Sequence, residues 1–413
     1  MKRLVAAITI AAPLMLNAQA SAVDPPALAT ALSRLQADNA WTLQKQVALC
    51  EIPAPPFKEQ RRAAAYRNEL VALGYADTRI DEVGNVVAEL QGAAKGPTVM
   101  IAGHLDTVFP EGTDVRVTRD GTRFKGPGIG DDCRGLAVVL AVARVGKQSS
   151  LRFNGRVLFV GNVGEEGPGN LRGTTHLLGT TYRDQVNYFI SVDGAGEDIV
   201  SRAVGSIRYN VHFKSPGGHS YGAFGMPNPI HAMGRAIATI SDIQVPRTPK
   251  ATFNVGIVSG GTSVNSIAMD AAMDVDMRSE SPEELAKLDV QVRKAIQDAV
   301  AAEIARWPGS NKGLSARIDT IGIRPTGAQL DTAFVVRTAL AAGARVGLRP
   351  TIGASSTDAN IPIALGIPAV TIDGGGSGGG AHSHDEWYDD GAAGYRGPQW
   401  ALRLIAALAG MAR

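Results

Sequence analysis

Three short apolar segments, each followed closely by a histidine or an acid, constrain the fold of this chain more than any other feature. The segments and the residues that follow them are 98–102 with His104, 156–160 with Glu165 and Glu166, and 188–192 with Asp193. Their length and apolar character are typical of buried strands, and a small-residue helical segment at 136–145 separates the first two. The pattern predicts an α/β fold with a mixed, largely parallel sheet and helices on both faces. Ligands of such sheets bind beyond the carboxyl ends of the strands, where these polar residues lie.

The pattern changes near Gly205, where apolar and polar residues begin to alternate. Three alternating segments and two helical segments, the second beginning at Ser281-Pro282, predict a compact α+β unit. Turn residues at 307–310 mark its end, and the α/β pattern resumes near Leu314. A chain of 413 residues is long enough for two domains. We therefore expect a first α/β part over 23–204, an inserted domain over 205–313 and a second α/β part over 314–413.

The first 22 residues have the organisation of a secretory signal peptide, with two basic residues, an apolar stretch over 4–16 and a cleavage site after Ala22. The stretch is too short for a mature membrane anchor, so we expect a periplasmic or secreted protein without one. Cleavage reduces 41 Lys and Arg to 39, which equals the 39 Asp and Glu. A formally neutral chain gives no reason to expect a nucleic-acid partner. In an oxidising compartment, Cys50 and Cys133 either pair or remain separate buried thiols.

The first polar residues beyond the strands are of types that bind metal ions. His104 and Asp106 are two residues apart, so in an extended segment they share one side of the chain. Asp106 could then fix the tautomer of a metal-bound His104. Asp131 and Asp132 end a glycine-rich turn before an apolar helix, where one acid would serve as an N-cap. A carboxylate that bridges two cations would also fit this turn.

Two adjacent acids, Glu165 and Glu166, end another strand and point to opposite sides of an extended chain. One could bind a metal while the other acts as a general base. Asp193 adds a carboxylate, and His382 and His384 follow a glycine run at 374–380. Mixed nitrogen and oxygen ligands suit Zn2+, with Co2+ or Mn2+ as the other candidates. Two such ions would acidify a bridging water and polarise a carbonyl, so the predicted chemistry is amide hydrolysis.

Taken in order, these segments resemble the di-zinc exopeptidase and deacylase family that includes peptidase T, carboxypeptidase G, acetylornithine deacetylase and succinyl-diaminopimelate desuccinylase. The resemblance covers nearly the whole mature chain. It implies a zinc-exopeptidase-like fold with an inserted lid and dimerisation domain, two Zn2+ ions, a homodimer through the lid, and a cis peptide between Asp131 and Asp132. The metal ligands that it implies are His104, Asp131 as the bridge, Glu166, Asp193 and His382.

The same resemblance assigns roles to further residues. The catalytic residues that it implies are Glu165 as the general base, Asp106 as the acid supporting His104, and His219, which reaches the partner subunit's site and stabilises the developing oxyanion. The substrate-binding residues that it implies are Asn265 and Arg278, the latter typically for the substrate's carboxylate. Glu386 matches the acid that follows the last histidine ligand.

We therefore expect a secreted di-zinc metallopeptidase that hydrolyses short peptides, of the di-/tripeptidase or aminopeptidase type, through a metal-bridged water with Glu165 as the base. The alternative is an N-acyl amino-acid deacylase or a glutamate-carboxypeptidase-like enzyme with the same metals. A non-catalytic binding protein is a remote alternative that Glu165 disfavours. By resemblance, Asp193 favours the peptidase side, since the deacylase and carboxypeptidase branches usually have Glu there. His382 is preferred to His384 as the ligand because of its position in the motif.

Overall fold

The computed structural model describes residues 24–308 and 313–412. The expected signal peptide at 1–22 and part of the turn at 307–310 lie outside the described residues. Within the described ranges, no helix is both long enough and apolar enough to cross a membrane.

The strands and helices of the described residues are numbered in chain order. The strands are β1 Arg79–Ile80, β2 Val86–Leu90, β3 Val99–His104, β4 Thr118–Asp120, β5 Arg123–Lys125, β6 Val157–Asn162, β7 Tyr188–Val192, β8 Ile199–Ala203, β9 Gly205–Lys214, β10 Gly218–His219, β11 Ala251–Gly260, β12 Ser266–Ile267, β13 Asp270–Ser279, β14 Ser315–Arg324, β15 Gly327–Ala328, β16 Ile352–Ser355, β17 Ala369–Ile372, β18 Ser377–Gly379 and β19 Trp387–Asp389. The α-helices are α1 Pro26–Ala37, α2 Asn39–Cys50, α3 Gln60–Ala72, α4 Cys133–Gln148, α5 Arg172–His176, α6 Pro229–Ser241, α7 Pro282–Ala305, α8 Phe334–Arg345, α9 Asn360–Ala364 and α10 Arg396–Ala409. A 3-10 turn at Gly167–Gly169 and a π-helical turn at Leu177–Thr181 lie on either side of α5.

The large sheet has the strand order β1-β2-β6-β3-β7-β17-β8-β15, with β16 beside β8. Its centre, β6-β3-β7-β17, is parallel, whereas β2 and β8 pair antiparallel with β6 and β17. Along β3, Val99 and Ile101 pack on one face with α1, α4 and α10, while Met100 and Ala102 pack on the other with the π-helical turn and α9. Both faces are covered, which is why apolar residues predominate on both faces of the central strands. The expected mixed, largely parallel sheet with helices on both faces is confirmed.

The inserted domain has its own four-stranded antiparallel sheet, in the order β11-β13-β9-β14. Tyr209, Val211 and Phe213, at alternate positions of β9, are buried in a core formed with α6 and α7. The start of α7 follows the sequence signal, because the Oγ of Ser281 accepts a hydrogen bond from the N–H of Glu284 at 3.2 Å. A separate antiparallel sheet covered by helices is consistent with the expected lid domain.

The second boundary of this domain lies later than the sequence predicts. We expected the chain to leave the domain at 314, but β14 pairs with β9 over most of its length and ends with Arg324 opposite Ser206. The chain returns to the large sheet only at β15, where Gly327 pairs with Ala203. A strand's own sequence does not reveal its partner, so the pattern placed the boundary too early.

A third sheet, in the order β18-β19-β5-β4, joins two loops that are distant in sequence. Strand β5 leads into the glycine-rich turn before Asp131, and β18 and β19 flank the loop that carries His382. Tyr388 of β19 pairs with Phe124 of β5, and the N–H of Gly126 donates to the C=O of Glu386 at 3.0 Å. The third sheet therefore holds the two loops side by side.

Candidate active site

Four neighbouring parallel strands, β6, β3, β7 and β17, end at the same edge of the large sheet. His104 is the last residue of β3, and Asp193 directly follows β7. Glu165 and Glu166 lie a few residues beyond β6, and His382 lies beyond β17 at the end of the glycine run. The sheet thus brings together the polar residues that follow the apolar segments.

The Asp131-Asp132 turn lies at the same edge, at the N-terminus of α4. Asp132 is the N-cap of that helix, because its Oδ1 accepts a hydrogen bond from the N–H of Gly135 at 2.9 Å. Its Oδ2 accepts a second hydrogen bond from the N–H of His104 at 2.9 Å. The peptide bond between Asp131 and Asp132 is cis, as the family resemblance implies. With Asp132 engaged by the backbone, Asp131 is the acid that faces the histidines.

Asp131 lies between two histidines and completes two ligand sets. Its Oδ1 is 2.9 Å from the Nε2 of His104, and its Oδ2 is 3.1 Å from the Nε2 of His382. Asp193 Oδ1 is 3.9 Å from the Nε2 of His104, and Glu166 Oε1 is 3.1 Å from the Nε2 of His382. The first ligand set is His104, Asp131 and Asp193, and the second is Asp131, Glu166 and His382. Within each set, every residue offers one ligand atom, and these atoms all lie within 4.8 Å of one another. The shared Asp131 allows this arrangement to hold two cations with a bridging carboxylate.

Asp106 connects the first ligand to the two glutamates. The Nδ1 of His104 is 3.0 Å from the main-chain oxygen of Asp106 and 3.6 Å from its Oδ1. The carbonyl oxygen is therefore the nearer partner, and a proton on Nδ1 leaves Nε2 of His104 available to a metal. The Asp106 carboxylate accepts hydrogen bonds from the N–H groups of Glu165 and Glu166 at 3.0 and 2.9 Å. Asp106 thus fixes the backbone of both glutamates as well as the imidazole.

Glu386 has a similar role on the other side of the site. Its Oε1 accepts hydrogen bonds from the N–H groups of Gly130 and Asp131 at 2.8 and 2.9 Å, and its Oε2 accepts one from Gly128 at 2.9 Å. These bonds fix the turn that presents the Asp131 carboxylate. The carboxylate of Glu386 is therefore engaged by the backbone of this turn.

The ligand cluster concentrates negative charge. Burial raises the pKa of Asp193 to about 8, and the neighbouring Asp131 carboxylate adds to that rise. Hydrogen bonds with Asp131 and Glu166 raise the pKa of His382 to about 10. Burial also raises the pKa of Asp131, but the hydrogen bonds of both histidines outweigh it and hold that pKa below its usual range. Bound cations would relieve the repulsion between the carboxylates and replace the proton on His382, so the donors fit a metal site.

Glu165 is buried beside this cluster and is paired with an arginine. Arg324 Nη1 donates to the Oε1 of Glu165 at 3.0 Å, and Nη2 donates to the main-chain oxygen of the same residue. Burial raises the pKa of Glu165 well above its usual value, and the charge of Arg324 opposes this rise. The arginine therefore favours the ionised carboxylate that a general base needs.

A cavity of about 400 Å³, here called the central cavity, opens onto these residues. Its walls include Asp131, Glu165, Glu166, Asp193, Arg208, Arg278, Arg324 and His382. Asp276 lies between two of the arginines, since Arg278 Nε donates to its Oδ2 at 2.7 Å and Arg208 Nε to its Oδ1 at 2.9 Å. The central cavity thus combines the candidate metal ligands with cationic groups that recognise carboxylates.

His219 and Asn265 lie on the inserted domain, away from the central cavity. Strand β10, which ends at His219, pairs with β12, and the N–H of Ser220 donates to the C=O of Asn265 at 2.9 Å. Both side chains are exposed. Of the three inserted-domain residues that the resemblance assigns, Arg278 alone lines this cavity.

His384 is separated from the ligand sets. Its ring packs against Phe109, with the ring centroids 5.6 Å apart. His382, two residues earlier, contacts Asp131 and Glu166. The geometry therefore favours His382 as the ligand.

Cys50 and Cys133 are free thiols that lie side by side, buried in one small apolar cluster with Tyr388. The Cys50 thiol donates to the C=O of Pro127 at 3.3 Å. Burial raises the pKa of the Cys50 thiol well above its usual value, which favours the protonated, unreactive form. Of the two alternatives left open by the sequence, the structure has the unpaired thiols.

Sequence reasoning missed Arg208, Arg324 and Asp358. The two arginines gave no local signal, because a charged residue in an alternating strand is typical of a solvent-facing position. Asp358 is fully buried, and its carboxylate accepts hydrogen bonds from Asn162 Nδ2 and Thr174 Oγ1, both at 2.6 Å. It lies three residues beyond the end of β16, so an acid after a strand, the signal that identified Asp193, could have found it.

Known proteins are similar to this chain in sequence and in fold. A model of the peptidase family M20/M25/M40 matches residues 100–406. The uncharacterised protein YqjE of Bacillus subtilis (strain 168) is 27% identical over 300 residues, which cover 70% of this chain and 76% of the relative. Carboxypeptidase G2 of Pseudomonas sp. (strain RS-16) is 26% identical over 222 residues, covering 51% and 52%. The crystal structure of aminopeptidase PepT from Bacillus cereus ATCC 10987 shares the fold, with a TM-score of 0.70 at 20% identity over 89% of this chain and 98% of that chain.

Proposed function

Because this chain belongs to peptidase family M20/M25/M40 and is a metal-dependent hydrolase of peptide or amide bonds, we propose that it cleaves short peptides as a di-/tripeptidase or aminopeptidase. The proposal includes two Zn2+ ions and Glu165 as the general base. The observation that carries it is the sharing of Asp131 by two ligand sets in a cavity that also contains Glu165. A binding protein would have no need of a buried base beside its metals.

The donor set supports zinc as the metal. Imidazole nitrogens and carboxylate oxygens are the ligands that Zn2+ takes in hydrolases. His104 and Asp193 would hold one ion, Glu166 and His382 the other, and Asp131 both. When bound, such ions supply Lewis-acid polarisation of a carbonyl and make water more acidic.

Glu165 would move the proton during hydrolysis. It accepts a proton from the attacking water, whose oxygen forms a bond to the carbonyl carbon of the substrate. The carbon–nitrogen bond then breaks, and Glu165 delivers that proton to the leaving amine. The hydrogen bonds from the N–H groups of Glu165 and Glu166 to Asp106 keep both carboxylates in place through this cycle.

Arg278 would select the carboxyl end of the substrate. Its guanidinium lines the central cavity, and a bond from Nε to Asp276 orients it while leaving its terminal nitrogens for a carboxylate. A cavity of about 400 Å³ is at the small end of the range for ligand sites, which supports a substrate of two or three residues.

We also propose a homodimer formed through the inserted domain. Tyr221, Phe224 and Val264 are 89%, 78% and 102% exposed, and they lie close in sequence to His219 and Asn265. Exposed apolar residues of this kind are typical of an interface. Light scattering after size exclusion is expected to give the mass of a dimer, and Val264→Lys is expected to reduce it to that of a monomer. A fully active monomeric wild type would contradict the dimer.

The second candidate is an N-acyl amino-acid deacylase or a carboxypeptidase with the same metals. The sequence similarity to carboxypeptidase G2 favours it, since that relative is named for removal of a carboxyl-terminal residue. The ligand sets would serve it equally well. The two candidates therefore differ in whether they prefer a substrate with a free or an acylated amino group.

The proposed location is the periplasm or the extracellular medium. The support is the signal-like composition of residues 1–22. Fractionation of the producing cells is expected to recover the protein outside the cytoplasm and shortened by these residues. Full-length protein in the cytoplasm would contradict this location.

The decisive experiment compares matched substrates with the zinc-loaded protein. A dipeptide and a tripeptide with free amino termini are expected to be cleaved faster than their N-acetyl forms, and amidation of the carboxyl terminus is expected to slow cleavage. The reverse preference for N-acetyl substrates would favour the deacylase. A chelator is expected to abolish activity, and Zn2+ to restore it. Glu165→Gln is expected to keep both zinc ions but lose turnover, and full activity of this variant would refute the role of Glu165.

A further inference from the structure

We propose that Arg324 is a positioning residue for Glu165, an inference that rests on the role of Glu165 in the proposed function. Arg324 is the last residue of β14, so a residue of the inserted domain holds the general base of the α/β domain. The two side chains are only 4% and 5% exposed and form an ion pair at 3.0 Å. Water therefore competes little for this contact.

The contact fixes Glu165 at more than one point. Arg324 Nη1 holds the Oε1 of the side chain at 3.0 Å, and Nη2 holds the main-chain oxygen of the same residue. Because the guanidinium is planar and rigid, it sets the side chain of Glu165 relative to its own backbone. The N–H of Glu165 is held independently by Asp106 Oδ1 at 3.0 Å. With Oε1 engaged, Oε2 is the oxygen left to take the proton of the attacking water.

The surroundings of Glu165 make such a restraint necessary. A carboxylate oxygen of Glu165 lies within 4.8 Å of ligand atoms of both His104 and Glu166. Repulsion between neighbouring carboxylates would turn a flexible side chain away from the site. General-base catalysis, however, requires the acceptor oxygen to stay within hydrogen-bond reach of the proton that it takes. Arg324 opposes the repulsion and keeps the carboxylate at the cavity.

A second arginine, Arg208, links the loop that carries Glu165 to the inserted domain. The chain enters this domain through β9 and leaves it through β14, and the two strands pair with Arg324 opposite Ser206. Arg208 of β9 donates from Nη1 to the C=O of Gly167 at 2.9 Å, two residues beyond Glu165. Both connecting strands thus contact the loop of the general base. A rotation of the inserted domain about these strands would be transmitted directly to Glu165.

The first test is the variant Arg324→Lys, which keeps the charge but cannot hold both oxygens of Glu165 in one plane. A displaced base is expected to lower kcat by about 100-fold. KM is expected to change by less than about threefold, because Glu165 engages both terminal nitrogens of Arg324 and leaves substrate binding to other groups. The matched control is Arg317→Lys on the same strand, where the side chain is 69% exposed and pairs with Asp319. This control is expected to retain both constants.

The second test asks whether Arg324 acts through Glu165. In a Glu165→Asp background, the shorter side chain no longer makes the same ion pair with Arg324. Adding Arg324→Lys to this background is therefore expected to lower kcat by less than about threefold relative to Glu165→Asp alone. An undiminished 100-fold effect in that background would indicate an independent role and overturn the proposal. A raised KM with unchanged kcat would also overturn it, because Arg324 would then bind substrate directly.

Two measurements, the zinc content and the unfolding midpoint, distinguish a loss of activity from misfolding by showing that each variant folds. If Arg324→Lys does not fold, Arg324→Gln replaces it. With Arg324→Gln the same fall in kcat at unchanged KM is expected, and wild-type kcat would overturn the proposal. If the wild type cleaves no amide substrate, the proposed function fails before any variant is compared.

Discussion

Replacing Gly135 by alanine is expected to destabilise the protein, although the same change within a helix normally stabilises. Gly135 lies in the first turn of α4, which packs against the end of β7. A Cβ at this position would lie 2.1 Å from the main-chain oxygen of Val192 and 2.2 Å from Oδ1 of Asp132. Val192 directly precedes Asp193, so the methyl group would push helix and strand apart at the metal site.

The size of the effect follows from three contributions. Helix propensity favours alanine by up to about 1 kcal/mol. Moving α4 and β7 apart to admit the methyl group costs about 2 kcal/mol, the middle of the range for overpacked cores. Displacing the Asp132 carboxylate from its capping bond with the N–H of Gly135 costs about 1 kcal/mol more. The free energy of unfolding is therefore expected to fall by about 2 kcal/mol.

The assay is urea unfolding followed by circular dichroism, with Gly234→Ala as the matched control. Gly234 lies within α6, and a Cβ there would meet nothing within 4 Å. The control is expected to raise the free energy of unfolding by up to about 1 kcal/mol. Gly135→Ala is also expected to lower zinc affinity, because it shifts Asp132 and Asp193. An equal stabilisation by both substitutions would refute the argument that close packing of α4 on β7 positions the site.

Three further predictions address single residues. Elemental analysis is expected to find one zinc ion instead of two in His382→Ala, whereas His384→Ala is expected to keep both. Loss of zinc from the His384 variant would contradict the ligand assignment. Asp106→Asn is expected to weaken zinc binding by about 10- to 100-fold in a competition with a chelator. The reason is that Asp106 orients His104 and both glutamates without binding the metal itself. An unchanged zinc affinity would contradict this role. Burial raises the pKa of Asp373 from 3.8 to about 7. A raised pKa stabilises the folded state at low pH, so the free energy of unfolding is expected to fall as the pH rises from about 4 to about 7, by at most about 4 kcal/mol. Asp373→Asn is expected to remove this fall, and parallel pH curves for wild type and variant would show that Asp373 is not its source.

The centre of the large sheet was predictable because β3, β6 and β7 are buried along almost their whole length. Strand β3 is buried at each of its six positions, so an uninterrupted apolar segment marked it in the sequence. The third sheet was not predictable, because its strands are only three residues long and alternate too briefly to form a pattern. Strand β4, for example, is Thr118–Asp120 and is exposed throughout.

The candidate ligands were predictable for a related reason. Parallel strands carry their carboxyl ends to one edge, so His104 and Asp193 could be placed together without knowing any distance. Arg324 could not be placed in this way. It reaches the site from a different sheet, and its contact with Glu165 joins residues 159 positions apart in the chain. Contacts of that kind depend on how two domains pack, which no local pattern records.

The third sheet also determines at what stage of synthesis and folding the metal centre can be completed. Its strands join the turn before Asp131 to the loop of His382, and the bond between Gly128 and Glu386 connects residues 258 positions apart. Contacts of such separation form late in folding, because the intervening chain must be ordered first. A chain that is still being synthesised can present His104, Asp131 and Asp193, but the second ligand set is incomplete until the last segment arrives. Full metal content is therefore expected only once the loop of His382 is in place, and a protein shortened before β18 is expected to be inactive.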